Sequence, residues 1–210
     1  MEVLKVVIIG TPWTILITAA AFLFGVIGGI PLVFARRSRF RLVRGPTILV
    51  IDFLRAFPPI VWLFIIYFGL SVDFIRLSPL NAALVGFGVI STAYLAEIYR
   101  GSILAVNRGQ WEAAQALGLS RFRVFVDIIA PQAVRVAIPA SATYVIGLLK
   151  DSAIASTIGV QEITFHASRE ALRTLQGLQS FGIAAVVYIL LSLPLSWLSR
   201  RLDARFRASR

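Results

Sequence analysis

The chain has 210 residues, 58% hydrophobic and 15% charged, a balance outside the range of water-soluble domains. It has no cysteine and one histidine, His166, which excludes a disulfide framework, a thiolate nucleophile and most histidine-based metal sites. The formal net charge of +11 would suit nucleic acid, yet the basic residues lie in blocks, Arg36 to Arg44, Arg100 to Arg135 and Arg200 to Arg210, each abutting an apolar run. That placement is the positive-inside bias of membrane proteins, so no nucleic-acid partner is expected.

The apolar runs are continuous rather than alternating at period two, which favours helices over a β-barrel across a hydrocarbon core of ~30 Å. The expected fold is an all-α integral membrane protein of about five transmembrane helices, forming a single domain over residues 1–210. The first run, about Val6 to Ala35, is followed by "RRSRFR". A cleavable leader carries its basic residues before the apolar core, so this run reads as an uncleaved span with the N-terminus outside. Gly25, Gly28, Gly29 and Pro31 would permit close helix contact or a local bend.

A second run covers about Ile48 to Leu70, interrupted by Asp52, Arg55 and Pro58-Pro59, and "SVDFIRLSP" then makes a short external turn. A third helix starts near Pro79 and stops at Gly101 or continues to Asn107. The segment after it is too polar to cross a bilayer. A fourth span runs from Pro131 or Pro139 to about Leu149. The mixed stretch from Lys150 to Gly177 reads as outside and partly helical, and Phe181 to Leu198 returns the chain to its basic tail. Five spans with the C-terminus in the cytoplasm put every basic block on one side, an independent check on the count.

Within the polar segment, Gln110 to Leu117 holds strong helix formers, with Glu112 in the first turn where a carboxylate complements the helix dipole. Gly118 fits a left-handed stop, and Ser120 can cap a second helix. Phe122, Phe125, Val126 and Ile129 would give that helix one apolar face, and Pro131 marks a bend or break into the next span. The expected device is a compact helix-turn-helix at the cytoplasmic surface, stiff enough to transmit a push.

The spacing Glu112-Ala113-Ala114, Gly118, Ile128 and Ala130-Pro131 resembles the EAA loop of ABC importer permeases, in which leucine-proline usually stands where this chain has Ala130-Pro131. "SPLNAALVGFGVISTAYLAEIYRGSI", "RGQWEAAQALGLSRF" and "LLKDSAIASTIGVQEIT" look like the polar amino-acid branch, related to histidine and glutamine permeases. In "LRAFPPIVWLFIIYFGL", Arg55 and Pro58 match the arginine-glycine-threonine-proline of that branch and Ala56 and Phe57 do not.

The resemblance implies a type I importer permease of the bacterial inner membrane, with residues 108–131 as the cytoplasmic coupling loop and Glu112, Ala113, Ala114 and Gly118 at its ATPase contact. It implies a cytoplasmic ABC ATPase dimer, a second permease (an identical copy or a similar paralogue) and a periplasmic or lipid-anchored solute-binding protein. The chain has no G-x-x-x-x-G-K-[ST] loop, so ATP and Mg belong to the partner ATPase and this chain binds no cofactor. An ordinary amphipathic interfacial helix is the plain alternative for the loop.

Ionisable groups inside spans are costly and are candidate sites by default. If the third helix runs to Asn107, Glu97 lies ~15 Å from its end at ~1.5 Å per residue; if it stops at Gly101, Glu97 pairs with Arg100 near the headgroups. Asp151 lies ~18 Å beyond Pro139, beside Ser152 and small neighbours that suit a cavity wall. Arg55 has Asp52 three residues earlier, so a pair within one helix is expected. The functional alternative places the ammonium of an amino acid on Glu97 or Asp151 and its carboxylate on Arg55. His166 reads as an exposed loop residue, and Trp13, Trp62, Trp111 and Trp197 as interfacial anchors. An intramembrane enzyme lacks its residue inventory and a passive channel would not need the docking loop. A permease of the same fold for an opine or an amino-acid derivative is the closer rival.

Overall fold

The computed structural model describes residues 2–69 and 77–207, all helix or connecting turn, with no strand among the described residues. The expected external turn falls mostly in 70–76, outside the described residues. Helices Glu2–Ile8 (α1) and Thr11–Arg36 (α2) form one membrane-length segment. α2 packs along Pro79–Leu104 (α5) through its glycines: a Cβ on Gly28 would lie 2.4 Å from Thr92 Cγ2, and one on Gly25 2.7 Å from Ser91 Cβ. The close contact expected of these glycines is therefore present, because only hydrogen fits between the two backbones.

The second run departs from expectation. It is two helices, Arg41–Ala56 (α3) and Pro59–Phe64 (α4), the latter continuing as a wide π-type turn over Ile65–Gly69, and they meet at 101°. The prolines are the cause. Phe57 is extended, as a residue before proline prefers, and Pro58 has no N–H to bond the carbonyl of Leu54. Trp62 Nε1 donates to that orphaned carbonyl at 3.1 Å, while its ring packs edge-on against Phe53 and Phe57. Trp62 thus fastens the bend.

α5 is capped by Ser78, whose Oγ accepts from Asn81 N, and ends at Leu104, between the two ends expected of it. Arg108–Ala116 (α6) and Arg121–Arg123 (α7) follow. A π-type turn over Val124–Ile129 then leads into Ala130–Asp151 (α8), and the helical path continues to Ile158 as a 3-10 turn. Pro131 therefore does not break the chain. The wide turn upstream absorbs its missing N–H, and the span begins at Arg121. Ile163–Thr174 (α9) and Gly177–Arg207 (α10) complete the bundle. His166 lies in α9, not in a loop.

Four helical segments are long and apolar enough to cross a membrane, and the bent pair α3–α4 makes a fifth if counted as one. The main core joins Ile17, Leu63, Phe87 and Leu148 to Ala155 and Ile158 of the 3-10 turn. The stretch after Lys150, expected to be partly helical, packs its first turn into the bundle. A second core joins the ends of α2 and α5 to α6 and the start of α8 through Val33, Ile103, Ala114 and Ala133. This gathers the basic blocks at one end.

Candidate functional site

The knob between α5 and α8 is a folded body. Asn107 starts α6 by accepting from Gly109 N at 2.8 Å, a cap the sequence reading missed by starting the helix at Gln110. Glu112 is consequently beyond the first turn; it pairs instead with Arg108 one turn earlier, at 3.0 Å on the exposed surface. At the far end Leu119 N bonds Ala114 O and Gly118 N bonds Gln115 O, at 3.3 and 3.0 Å, with Gly118 at φ +72°. This paired closure of a helix C-terminus needs a left-handed residue. A Cβ on Gly118 would meet nothing within 4 Å, so glycine is required by backbone angle and not by crowding.

Ala114 is buried and roots α6 in the second core, with the partly buried Trp111 and Leu119 packed beside it. Gln132 Nε2 bonds Gln110 Oε1 and its own helix carbonyl at Ile128, tying α6 to the start of α8. Glu112, Ala113 and Gly118 remain exposed, flanked by Leu117 at 78% and Phe122 at 75% exposure. The sequence spacing groups Phe122 with Phe125, Val126 and Ile129 on one apolar face. The π-type turn changes the period, so Val124 and Ile129 turn inward while Phe122 and Val126 face out. Leu117 and Phe122 are the surface residues sequence reasoning missed. Their only signal is the turn at Gly118-Leu119-Ser120 between them, which removes both from a common helical face.

About two helical turns before the end of α5 sits an ion-pair cluster. Glu97, 13% exposed, accepts from Arg100 Nη2 at 3.0 Å and lies 3.1 Å from Arg36 Nε and 3.7 Å from Arg55 Nη1. The expected Glu97–Arg100 pair is present and bidentate. The expected Asp52–Arg55 pair is replaced: Asp52 takes Arg36 at 3.3 Å and Arg55 turns to Glu97. The cluster joins α2, α3 and α5, and Arg36 was not anticipated. Its guanidinium lies at the end of a different helix, which no local spacing reveals. Arg55 also lies 5.2 Å from the centre of the Tyr94 ring, and Tyr94 stacks on Tyr144, whose hydroxyl is 2.9 Å from Ser91 Oγ. Just outside the span, burial and the nearby Arg100 charge hold the Arg37 guanidinium below its usual range.

Asp151 and Ser152 lie at the other end of α8 and form no ion pair with this cluster. Asp151 is exposed; Ser152 is buried and its Oγ donates to Leu149 O at 2.7 Å. Beyond them Glu162, fully buried, caps α9 through Phe165 N at 2.8 Å and accepts from Tyr188 of α10. Burial raises its carboxyl above the ordinary range against the pull of these hydrogen bonds. No group of metal-ligating side chains occurs among the described residues.

Comparison with known proteins places this arrangement. The profile of the family described as "binding-protein-dependent transport system inner membrane component" matches residues 21–208. The chain is 39% identical to the probable amino-acid ABC transporter permease YckA of Bacillus subtilis, over 90% of this chain and 83% of that protein. It is 34% identical to the arginine ABC transporter permease ArtQ of Haemophilus influenzae, covering 83% and 82%. With the glutamine permease GlnP of Escherichia coli it shares 32% identity over 94% and 91%. A crystal structure of an amino acid ABC transporter with histidines superposes at a TM-score of 0.92 and 30% identity, covering 96% of this chain and 94% of that one. The MetNI methionine transporter in an inward-facing form shares the fold at 0.80 and 18% identity, covering 96% of each chain.

Proposed function

This chain belongs to the family of binding-protein-dependent transport system inner membrane components, and from that membership we propose that it is worked by a separate cytoplasmic ATPase through residues 108–131 to import a polar amino acid. The chain is a membrane permease subunit of the ABC importer type. The observation that carries the coupling role is the knob itself: Ala114 buried at its root, Gly118 left-handed at its tip, Leu117 and Phe122 bare on either side. A body rooted in the ends of α2, α5 and α8 moves those spans when pushed, which a loose loop could not do. In this reading Glu112, Ala113 and Gly118 meet the ATPase, Ala114 holds the lever stiff, and the partner binds ATP and Mg.

The amino-acid substrate rests on the names of the relatives. It brings an external solute-binding protein, a second permease, and an orientation with the N-terminus outside and the knob in the cytoplasm. Within the pathway, Arg55 is the least tightly held of the guanidiniums on Glu97 and is placed to turn toward a carboxylate. Asp151, exposed at the other end, suits an ammonium. Glu97 orients Arg55, and Ser152 fixes the end of α8. Gly118→Asp and Glu112→Lys are expected to abolish ATP-driven uptake and co-purification of the ATPase while the permease still inserts. Normal uptake and ATPase binding in both variants would refute the coupling role. Arg55→Lys and Asp151→Asn test the solute contacts separately: unchanged uptake in both removes them without touching the lever.

A further inference from the structure

A second polar pocket, unrelated to the knob, opens between α8 and α10 at the basic end. It encloses about 550 Å³, with Arg135 and Thr143 on one wall and Ser199, Arg200, Asp203 and Phe206 on the other. Neither Arg135 nor Arg200 has a carboxylate within ion-pair distance among the described residues. Thr143 Oγ1 donates to Pro139 O at 3.1 Å and lies 3.4 Å from Ser199 Oγ. With the Thr143 proton given to Pro139 O, Ser199 is the donor of this hydroxyl pair, and the two guanidiniums are the donors left for a ligand. The two guanidiniums on its lining make the pocket suited to an anionic group.

Depth points the same way. Trp197, one turn before Arg200 and Arg201, is half exposed, with the Arg201 guanidinium 3.7 Å over its ring. A tryptophan with an apolar body and a charged neighbour marks the headgroup level of a bilayer. The remaining walls are apolar: Val136, Pro139 and Ala140 continue along α8 toward the hydrocarbon. We propose that this pocket binds the headgroup of an anionic phospholipid, its phosphate on Arg135 and Arg200 and its first acyl carbons along Val136 and Pro139. Basic pockets between membrane helices on the inner side are suited to such headgroups. Because α8 carries the knob at its start, a lipid clasped between α8 and α10 braces the span that the lever moves.

The test uses the intact transporter, permease with its partners, purified in mild detergent and analysed by native mass spectrometry. Phosphatidylglycerol is expected to remain bound after washing and phosphatidylcholine is not. Arg135→Gln with Arg200→Gln is expected to weaken phosphatidylglycerol binding roughly thirtyfold, about fivefold for each guanidinium lost. Arg41→Gln with Arg44→Gln removes equal charge from α3 and is expected to leave retention unchanged. Arg135→Lys with Arg200→Lys keeps the charge should the glutamine pair fail to assemble, and is expected to keep the preference over phosphatidylcholine. Equal losses in the two glutamine pairs, equal retention of the two lipids, loss of preference in the lysine pair, or displacement by millimolar inorganic phosphate would each overturn the assignment.

Discussion

Two glutamates largely removed from water, Glu97 and Glu162, one near each end of the bundle, are accommodated by opposite means. Glu97 stands among three arginines drawn from α2, α3 and α5. Among the described residues Glu162 has no arginine within ion-pair distance; the Phe165 N–H and the Tyr188 hydroxyl hold it, and a Cβ on Gly10 would collide with its carbonyl carbon. A carboxylate removed from water needs either countercharge or neutral donors, and each choice sets how the joint fails. The Glu97 cluster holds helices together by charge and carries more cations than anions. The Glu162 joint is a close-packed cap that opposes ionisation of its own acid.

The largest expected effect comes from removing the countercharge. Glu97→Gln leaves Arg55 and Arg100 without a carboxylate and Arg36 with Asp52 alone in the α2–α3–α5 seam, and should destabilise by about 3 kcal/mol, read as thermal unfolding of the purified complex. A change under about 1 kcal/mol would mean that water already neutralises the cluster. Next, Gly10→Ala drives a methyl into the backbone of Glu162 and Ile163 and should cost about 1–3 kcal/mol. An unchanged unfolding temperature would break the picture of a close-packed cap.

Glu162 sharpens the contrast through pH. Its folded carboxyl is raised, so the folded state binds the proton more tightly than the unfolded chain. Its contribution is fully present below the unfolded carboxylate range near ~4.3 and is lost as pH rises through the raised folded value. Glu162→Gln should therefore flatten the pH dependence of unfolding above that range, whereas an unaltered profile would place the titration elsewhere. The smallest effect is expected at the surface pair. Arg108→Gln should change stability by about 0.3–0.5 kcal/mol, because both partners of Glu112 pairing are exposed and screened.

Much of this was legible locally. The left-handed Gly118, the Ser120 cap and the small-residue seam of α2 follow from backbone angle, side-chain length and residue size within a few positions. The bend at Pro58-Pro59 was visible as an interruption, but its 101° and the Trp62 bond that fills the freed Leu54 carbonyl depend on where the next helix goes. Sequence spacing assigned Arg55 to Asp52 because those residues share a helix face. The structure pairs each across helices instead, since two longer-range partners, Glu97 and Arg36, lie closer once the bundle packs.

The amino-acid order alone determined that this is a membrane-embedded helical protein with a polar knob between its third and fourth apolar runs, because hydropathy, proline, glycine and capping signals act over one or two turns. Only the packed bundle decided which carboxylate faces three arginines, which face of the π-type turn stays bare, and where the 3-10 turn after Ser152 inserts. Those outcomes depend on distances between residues far apart in the chain, and no local preference encodes them.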